Sequence, residues 1–428
     1  MKTWLLKLSF FLVLLVLSCG KNNNVEVEFS KIISTHGSTR ATAYIMSNKI
    51  ITADDKIFVS WLDSLSDVKM TYYDLKTKKW SETVLVGSGV DNHGGPALAM
   101  DSKGIFHIIY GAHHGKFQYR RSKKPYDISE WTAIDSVGIY STYPSLVVDA
   151  KDRLHLTYRG GPMPRRLMYQ RRDENGVWSE AIELVKAPAD TGYTQYGNPI
   201  FISPDGVLHV AFHIYDVVPP AGKSVGYLRS RDGGVTWENV KGEKLSLPVT
   251  IESPCFIEKG DSLDMRVGNV IVDSDGAPYV PVMHLEKSPR TTLLWRFDGE
   301  KWVAKSLLPE IQKYFPEKEI TYTTITFDRD GVFYLLCDVQ NSGDTTFWGD
   351  PSLEVVLLTS CDRGESFRLI PISKPDANIP NWLPSMERPY SLKAIGLPSL
   401  IYTHGDRGTT VTDGQATEVI FVKLKKGK

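Results

Sequence analysis

The chain of 428 residues carries 50 basic and 50 acidic side chains, so its formal net charge is zero, and 42% of it is hydrophobic. That balance excludes a disordered chain, a collagen-like chain and a strongly basic nucleic-acid binder, so no nucleic-acid partner is expected. The 10 Trp, 20 Tyr and 16 Phe stand beside 34 Gly and 24 Pro, which favours many short strands joined by turns over a helical protein.

At the N-terminus, Lys2 and Lys7 precede an apolar run over residues 8–17 that ends at Ser18-Cys19-Gly20. A basic start, a short apolar stretch and small residues at the cut describe a secretory signal peptide over residues 1–18, too short for a comfortable span. The ending Val16-Leu17-Ser18-Cys19 resembles a bacterial lipobox, whose cysteine is acylated and becomes the new N-terminus. The expectation is an exported lipoprotein lipidated at Cys19 and held by that anchor alone on a bacterial outer membrane, on the periplasmic or cell-surface side. Residues 19–24 then form a polar tether, and the mature chain, without Lys2 and Lys7, is slightly acidic. Cys255, Cys337 and Cys361 remain, an odd number without C-x-x-C spacing, which argues against a disulfide framework.

From residue 25 onward one pattern recurs: an apolar strand, a turn with Asp or Gly, and a second strand. Clear copies are residues 96–110 (PALAMDSKGIFHIIY), 144–158 (PSLVVDAKDRLHLTY) and 199–212 (PIFISPDGVLHVAF). Later copies are residues 268–282 (GNVIVDSDGAPYVPV) and 323–337 (TTITFDRDGVFYLLC), with degenerate ones around 50–61 and 390–402. A third strand and a Trp-marked fourth follow most copies, as at Trp80, Trp131, Trp178 and Trp302. Residues 230–237 (SRDGGVTW) match the Asp-box S-x-D-x-G-x-T-W, and residues 360–367 (SCDRGESF) are a weaker copy. Such a box satisfies turn amides and speaks to fold, not chemistry. Seven repeats of four strands predict an all-β, single-domain, seven-bladed β-propeller over residues 25–428, its ring closed by the N-terminal strand.

In such a ring the loops before first strands and after second strands share one mouth. His, Tyr and Arg gather there, among them Arg40, Tyr143, Arg266 and Arg388, whereas the other face shows Asp-Gly turns and Lys-rich tips. His107, His155 and His209 recur in one register and read as structural. His93, His113 and His114 break the register, and His93 and His113 flank the same repeat. Tyr158 ends the next repeat, followed by Arg159, Arg165 and Arg166 in a Gly/Pro-rich loop. Histidine, tyrosine and arginine without a carboxylate pair suit abstraction of a proton α to a uronate carboxylate: Arg neutralises, His removes the proton, and Tyr protonates the leaving oxygen.

Residues 91–122, with His93, Pro96, Gly104, His107, His113 and the run Tyr119-Arg120-Arg121-Ser122, resemble the BNR-type propellers that include the ulvan lyases of polysaccharide lyase family 25 and its neighbour family 24. The resemblance implies a lyase that cleaves a sulfated uronate polysaccharide by β-elimination and leaves an unsaturated uronyl end. It implies His93, His113 and Tyr158 as catalytic, with the neutralising arginine between Arg165 and Arg172 and Arg166 the favoured one. Tyr215, His114 and Arg159 are expected to bind the anionic polysaccharide. No cofactor is expected for the chemistry; a structural divalent metal, zinc or calcium, is implied, with His213, His284, Cys255, Cys337, Asp338 and His404 as available ligands. A monomer is expected. The rival readings are a sialidase-like hydrolase recruiting Arg40, Arg266 and Arg388, and a non-catalytic surface glycan-binding lipoprotein.

Overall fold

The computed structural model describes residues 24–187, 197–215, 222–260, 264–343 and 346–427. Among these are 29 strands and one short helix, Leu308–Gln312. The leader, the tether up to residue 23 and Cys19 lie outside the described residues.

Strand burial follows the two-residue alternation of a pleated chain where one face meets solvent, as in Asp67–Asp74. It becomes continuous where both faces are covered, as in Leu154–Gly160. Four of the turns between first and second strands share one device. Asp101 Oδ1 accepts from the amides of Lys103 and Ile105, Asp149 Oδ1 from Lys151 and Arg153, and Asp273 Oδ1 from Asp275 and Ala277. Asp328 repeats it with Asp330 and Val332. In the Asp-box, Asp232 takes the amides of Val235 and Thr236 while Ser230 Oγ accepts from Gly234.

The register histidines tie these turns to the third strand. His107 bridges Asp101 and the Tyr119 hydroxyl, His155 bridges Asp149 and Tyr169, and His209 bridges Ser203 and Tyr227. They are structural, as their register implied.

The strands form six antiparallel sheets. Five have four or five strands, and the sixth has seven because the long strand Asp135–Val148 is shared. Its first half pairs with Gly115–Arg121 and its second half with Leu154–Gly160, with register shifts on both sides of the crossover. The N-terminal strand Val25–Gly37 pairs with Thr417–Lys426 and so completes the last sheet. Ile401, Val419 and Phe421 of that sheet pack against Ile50, Val59 and Trp61 of the first. The chain is thus all-β, with first and last sheets in contact.

The turn device should carry measurable stability. Asp328 is buried and also accepts from the Tyr334 hydroxyl. Asp328→Ala, which leaves buried donors unpaired, is expected to cost about 2–3 kcal/mol, read by urea denaturation; an unchanged midpoint would contradict this role.

Candidate functional site

His93 precedes the strand Ala97–Met100, and His113 follows its partner Phe106–Tyr110. Two glycines let the loops meet. A side chain on Gly94 would strike the Gly111 backbone at 3.1 Å, and Gly111 has φ +89°, a conformation glycine adopts without strain. The Gly111 amide donates to the Gly94 carbonyl at 3.0 Å.

Asp91 lies between the two imidazoles. Its Oδ1 accepts from the His93 backbone N–H at 2.7 Å and pairs with His93 Nδ1 at 3.0 Å; its Oδ2 pairs with His113 Nδ1 at 2.5 Å. The rings stack with centroids 3.8 Å apart. Burial alone would raise the Asp91 carboxyl, but hydrogen bonds from both histidines outweigh it and hold the group far below the carboxylate range.

The far nitrogen of His93 is equally constrained. Arg40 Nη1 approaches His93 Nε2 at 2.6 Å. A guanidinium can only donate, so Nε2 carries the lone pair and Nδ1 the proton that goes to Asp91. Burial, assisted by Arg40 and His113 and opposed by Asp91, lowers His93 to about 4. The ring is therefore neutral and basic at Nε2 near neutral pH.

Arg40 Nη1 also donates to the Tyr44 hydroxyl at 2.9 Å, and its guanidinium lies over the Trp348 ring at 5.1 Å. Tyr44 packs edge-on against Tyr143 at 4.5 Å. Arg159 lies over the Tyr143 ring at 4.5 Å and meets His114 Nε2 at 3.3 Å. His114 is lowered to about 4, by burial first and then by His113 and Arg159. Arg40, Tyr44, His93, His113, Tyr143 and Arg159 line one cavity of about 410 Å³, with Arg266, Tyr322 and Trp348 from later sheets contributing to its wall.

His93, His113 and Arg159 are therefore brought together at this cavity, with His114 against His113. Two expected residues are not. Tyr158 is fully buried, its hydroxyl donates to Gln170 at 2.8 Å, and its ring packs edge-on to Phe117. Alternation along Leu154–Gly160 explains this: Arg159 reaches the cavity, so Tyr158 faces the opposite side of the sheet. Arg166 pairs with Glu183 at 3.0 Å, across its own hairpin, and does not line the cavity. The adjacent Arg165 donates to the Gly161 carbonyl at 2.6 Å and lies over Tyr140. The backbone of Tyr215 ends the strand Leu208–Tyr215, but its side chain lies outside the described residues.

Residues missed by sequence reading are Tyr44, Tyr322 and Trp348. Trp348 sits on a long excursion between the strands Phe333–Asn341 and Glu354–Ser360, and that extra length within a repeat was its available signal. Tyr44 precedes a degenerate repeat and had none.

The proposed metal ligands are dispersed over other contacts. His284 pairs with Glu258, His404 with Asn381, and Cys337 donates to Leu335. Among the described residues, Asp91, His93 and His113 form a three-donor group. A cation fits this group poorly, since both Nδ1 atoms are engaged with Asp91 and the Arg40 guanidinium stands against His93 Nε2. The arginine triad of a sialidase does not assemble either: Arg266 is held by Asp264, and Arg388 donates to the Ile45 carbonyl and does not line the cavity.

Comparison with known proteins bears on this geometry. The BNR repeat-containing family matches residues 56–308. The chain belongs to that family. An ulvan lyase from Nonlabens ulvanivorans is 26% identical, over 76% of this chain and 80% of that protein. An ulvan lyase from Alteromonas sp. (strain LOR) is 23% identical, over 65% of this chain and 68% of its own length. In structure, a PL25 ulvan lyase bound to -[GlcA(1-4)Rha3S]- superimposes with a TM-score of 0.71 at 18% identity, covering 91% of this chain and 94% of that one.

The depressed imidazoles are expected to make this fold acid-labile, against the opposing pull of Glu387 and Asp338, whose carboxyls burial raises. His93 and His114 are lowered to about 4, and burial lowers His209 and His213 to about 3. An unfolded chain titrates histidine near 6.5, so between about pH 6.5 and 4 the unfolded state binds more protons. Their stabilisation is complete above the unfolded value and is lost as pH falls through that window. Calorimetry should show Tm falling steadily from pH 7 to pH 4.5; a flat or rising Tm would contradict it.

Proposed function

We propose that this protein is a polysaccharide lyase that cleaves a sulfated, uronate-containing polysaccharide of the ulvan type by β-elimination. The carrying observation is a neutral His93, oriented by Asp91, whose Nε2 shares one Arg40 nitrogen with the Tyr44 hydroxyl inside a lined cavity. Similarity to two ulvan lyases over most of the chain supports the substrate class. We take the shared strand Asp135–Val148 as serving two blades, so that six sheets make seven blades and the first-to-last sheet contact closes the ring.

The chemistry follows from the positions. The uronate carboxylate draws the Arg40 guanidinium onto itself, which neutralises the charge, acidifies C5–H and uncovers His93 Nε2. Nε2 takes the C5 proton, the C–H electrons form the C4–C5 double bond, and the C4–O4 bond breaks. The departing oxygen takes the Tyr44 hydroxyl proton. Arg40, a donor to the Tyr44 oxygen, stabilises the phenolate until a proton returns from His93. Asp91 stabilises the imidazolium throughout. His114 and Arg159 present donors for an anionic group on the neighbouring sugar.

Incubation with ulvan should raise the ultraviolet absorbance of an unsaturated uronate, and no rise on ulvan or other uronate polymers would sink the reading. His93→Ala and Tyr44→Phe are each expected to lower kcat by about 10²–10⁴-fold with circular dichroism unchanged. Tyr158→Phe should retain turnover and lose about 1 kcal/mol of stability with its hydrogen bond. An inactive Tyr158→Phe beside an active Tyr44→Phe would overturn the acid assignment. Because His93 is held near 4, the acid limb of kcat/KM should fall near pH 4; a limb near 6.5 would mean another base.

A further inference from the structure

The strand Val25–Gly37 connects the two faces of the molecule. At one end Gly37 pairs with Thr417 and bridges Asp63, and three residues later Arg40 enters the His93 cavity. At the other end Val25 pairs with Lys426, which meets Asp330 in the turn between the strands Lys318–Phe327 and Phe333–Asn341. Thirteen residues of strand separate these ends, roughly 40 Å at the usual rise.

The Val25 face has its own chemistry. It holds a second cavity of about 530 Å³, with Ile395 and Leu424 in its wall and Arg329, Lys393 and Lys425 around it. Arg329, Lys393, Lys425 and Lys426 are exposed. Lys425 pairs with Glu26 at 3.6 Å and Lys426 with Asp330 at 2.7 Å. Exposed pairs of this kind are weak, so either lysine can turn to another anion at little cost.

Residues 19–24 are the whole spacer between the lipobox cysteine and this face. Six residues reach at most roughly 20 Å when fully extended, about half the length of the N-terminal strand. A chain acylated at Cys19 therefore cannot lay the His93 mouth on the lipid without turning its own anchor point away.

We propose that the face carrying Val25, Arg329, Lys393 and Lys425 docks on an anionic bilayer, so that the His93 cavity opens away from the membrane toward incoming polymer. The inference rests on the lipoprotein reading of residues 1–19 and is independent of the lyase reading. Basic groups close to an anionic surface are each attracted to it, and a few suffice to bias orientation while the acyl chains supply the anchor.

The test uses the full chain processed in a bacterial host and reconstituted in phosphatidylglycerol vesicles that carry a headgroup quencher. A fluorophore is attached at Lys393→Cys or Thr412→Cys in a Cys361→Ser background. Thr412 is exposed in the loop whose Val411 carbonyl accepts from the Asn92 amide, beside His93. Quenching several-fold stronger at position 393 than at 412 is expected, weakening in neutral phosphatidylcholine vesicles. Equal quenching, or stronger quenching at 412, overturns the proposal. Full-strength quenching at 393 in neutral vesicles overturns its electrostatic part. Mass spectrometry of the mature N-terminus separates the two readings: an unacylated Cys19 removes the anchor and the proposal with it, whatever the ulvan assay shows.

Discussion

The candidate site depends on one carboxylate. Asp91 receives an imidazole Nδ1 on each oxygen and a backbone amide as well. This settles which nitrogen of His93 carries the proton, stacks the two rings and turns the basic nitrogen toward Arg40 and the cavity. The arrangement exists only because the loops carrying His93 and His113 touch through Gly94 and Gly111. Placing a buried anion between two histidines also has an energetic logic, since each hydrogen bond offsets the desolvation that the carboxylate would otherwise bear alone.

The fold divides its labour between two faces. On the turn face, Asp, Ser and Gly repeat one hydrogen-bonding device from sheet to sheet, and register histidines lock it to the third strands. On the mouth face the repeats diverge, and His93 and His113 stand where the histidine register is broken. The strand Asp135–Val148 illustrates this. It crosses between two pairing partners, carries positive φ at Tyr140 and Tyr143, and delivers Tyr143 to the cavity beside Arg159. Left-handed backbone at bulky residues costs energy, and its position here matches the tendency of strain to collect at functional sites.

Much of this was legible in the sequence because it repeats. The Asp-turn motif, the Trp-marked fourth strands and the histidine register each predict a contact that recurs, and departure from the register singled out His93 and His113. What failed to show were features set by parity and by loops. Tyr158 and Arg159 are neighbours in sequence but face opposite sides of a strand, so the tyrosine ended in the core and the arginine at the cavity. Arg166 found Glu183 across a hairpin, a pairing that depends on register between strands. Tyr44 and Trp348 reach the cavity from segments with no repeat to align. Six sheets stand where seven repeats were counted; the strand Asp135–Val148 pairs with two neighbours, and a count of sequence copies cannot reveal such sharing.

The central claim is that burial and Arg40 hold His93 neutral, while Asp91 fixes its proton on Nδ1 and leaves its lone pair on Nε2. Nitrogen-15 NMR of the histidine side chains, with His93 assigned by comparison with His93→Ala, reads that state directly. The account predicts an unprotonated Nε2 and a protonated Nδ1 from pH 8 down to about pH 5, and loss of this preference in Asp91→Asn. A His93 that is protonated on Nε2 at neutral pH, or that titrates near 6.5, would contradict it.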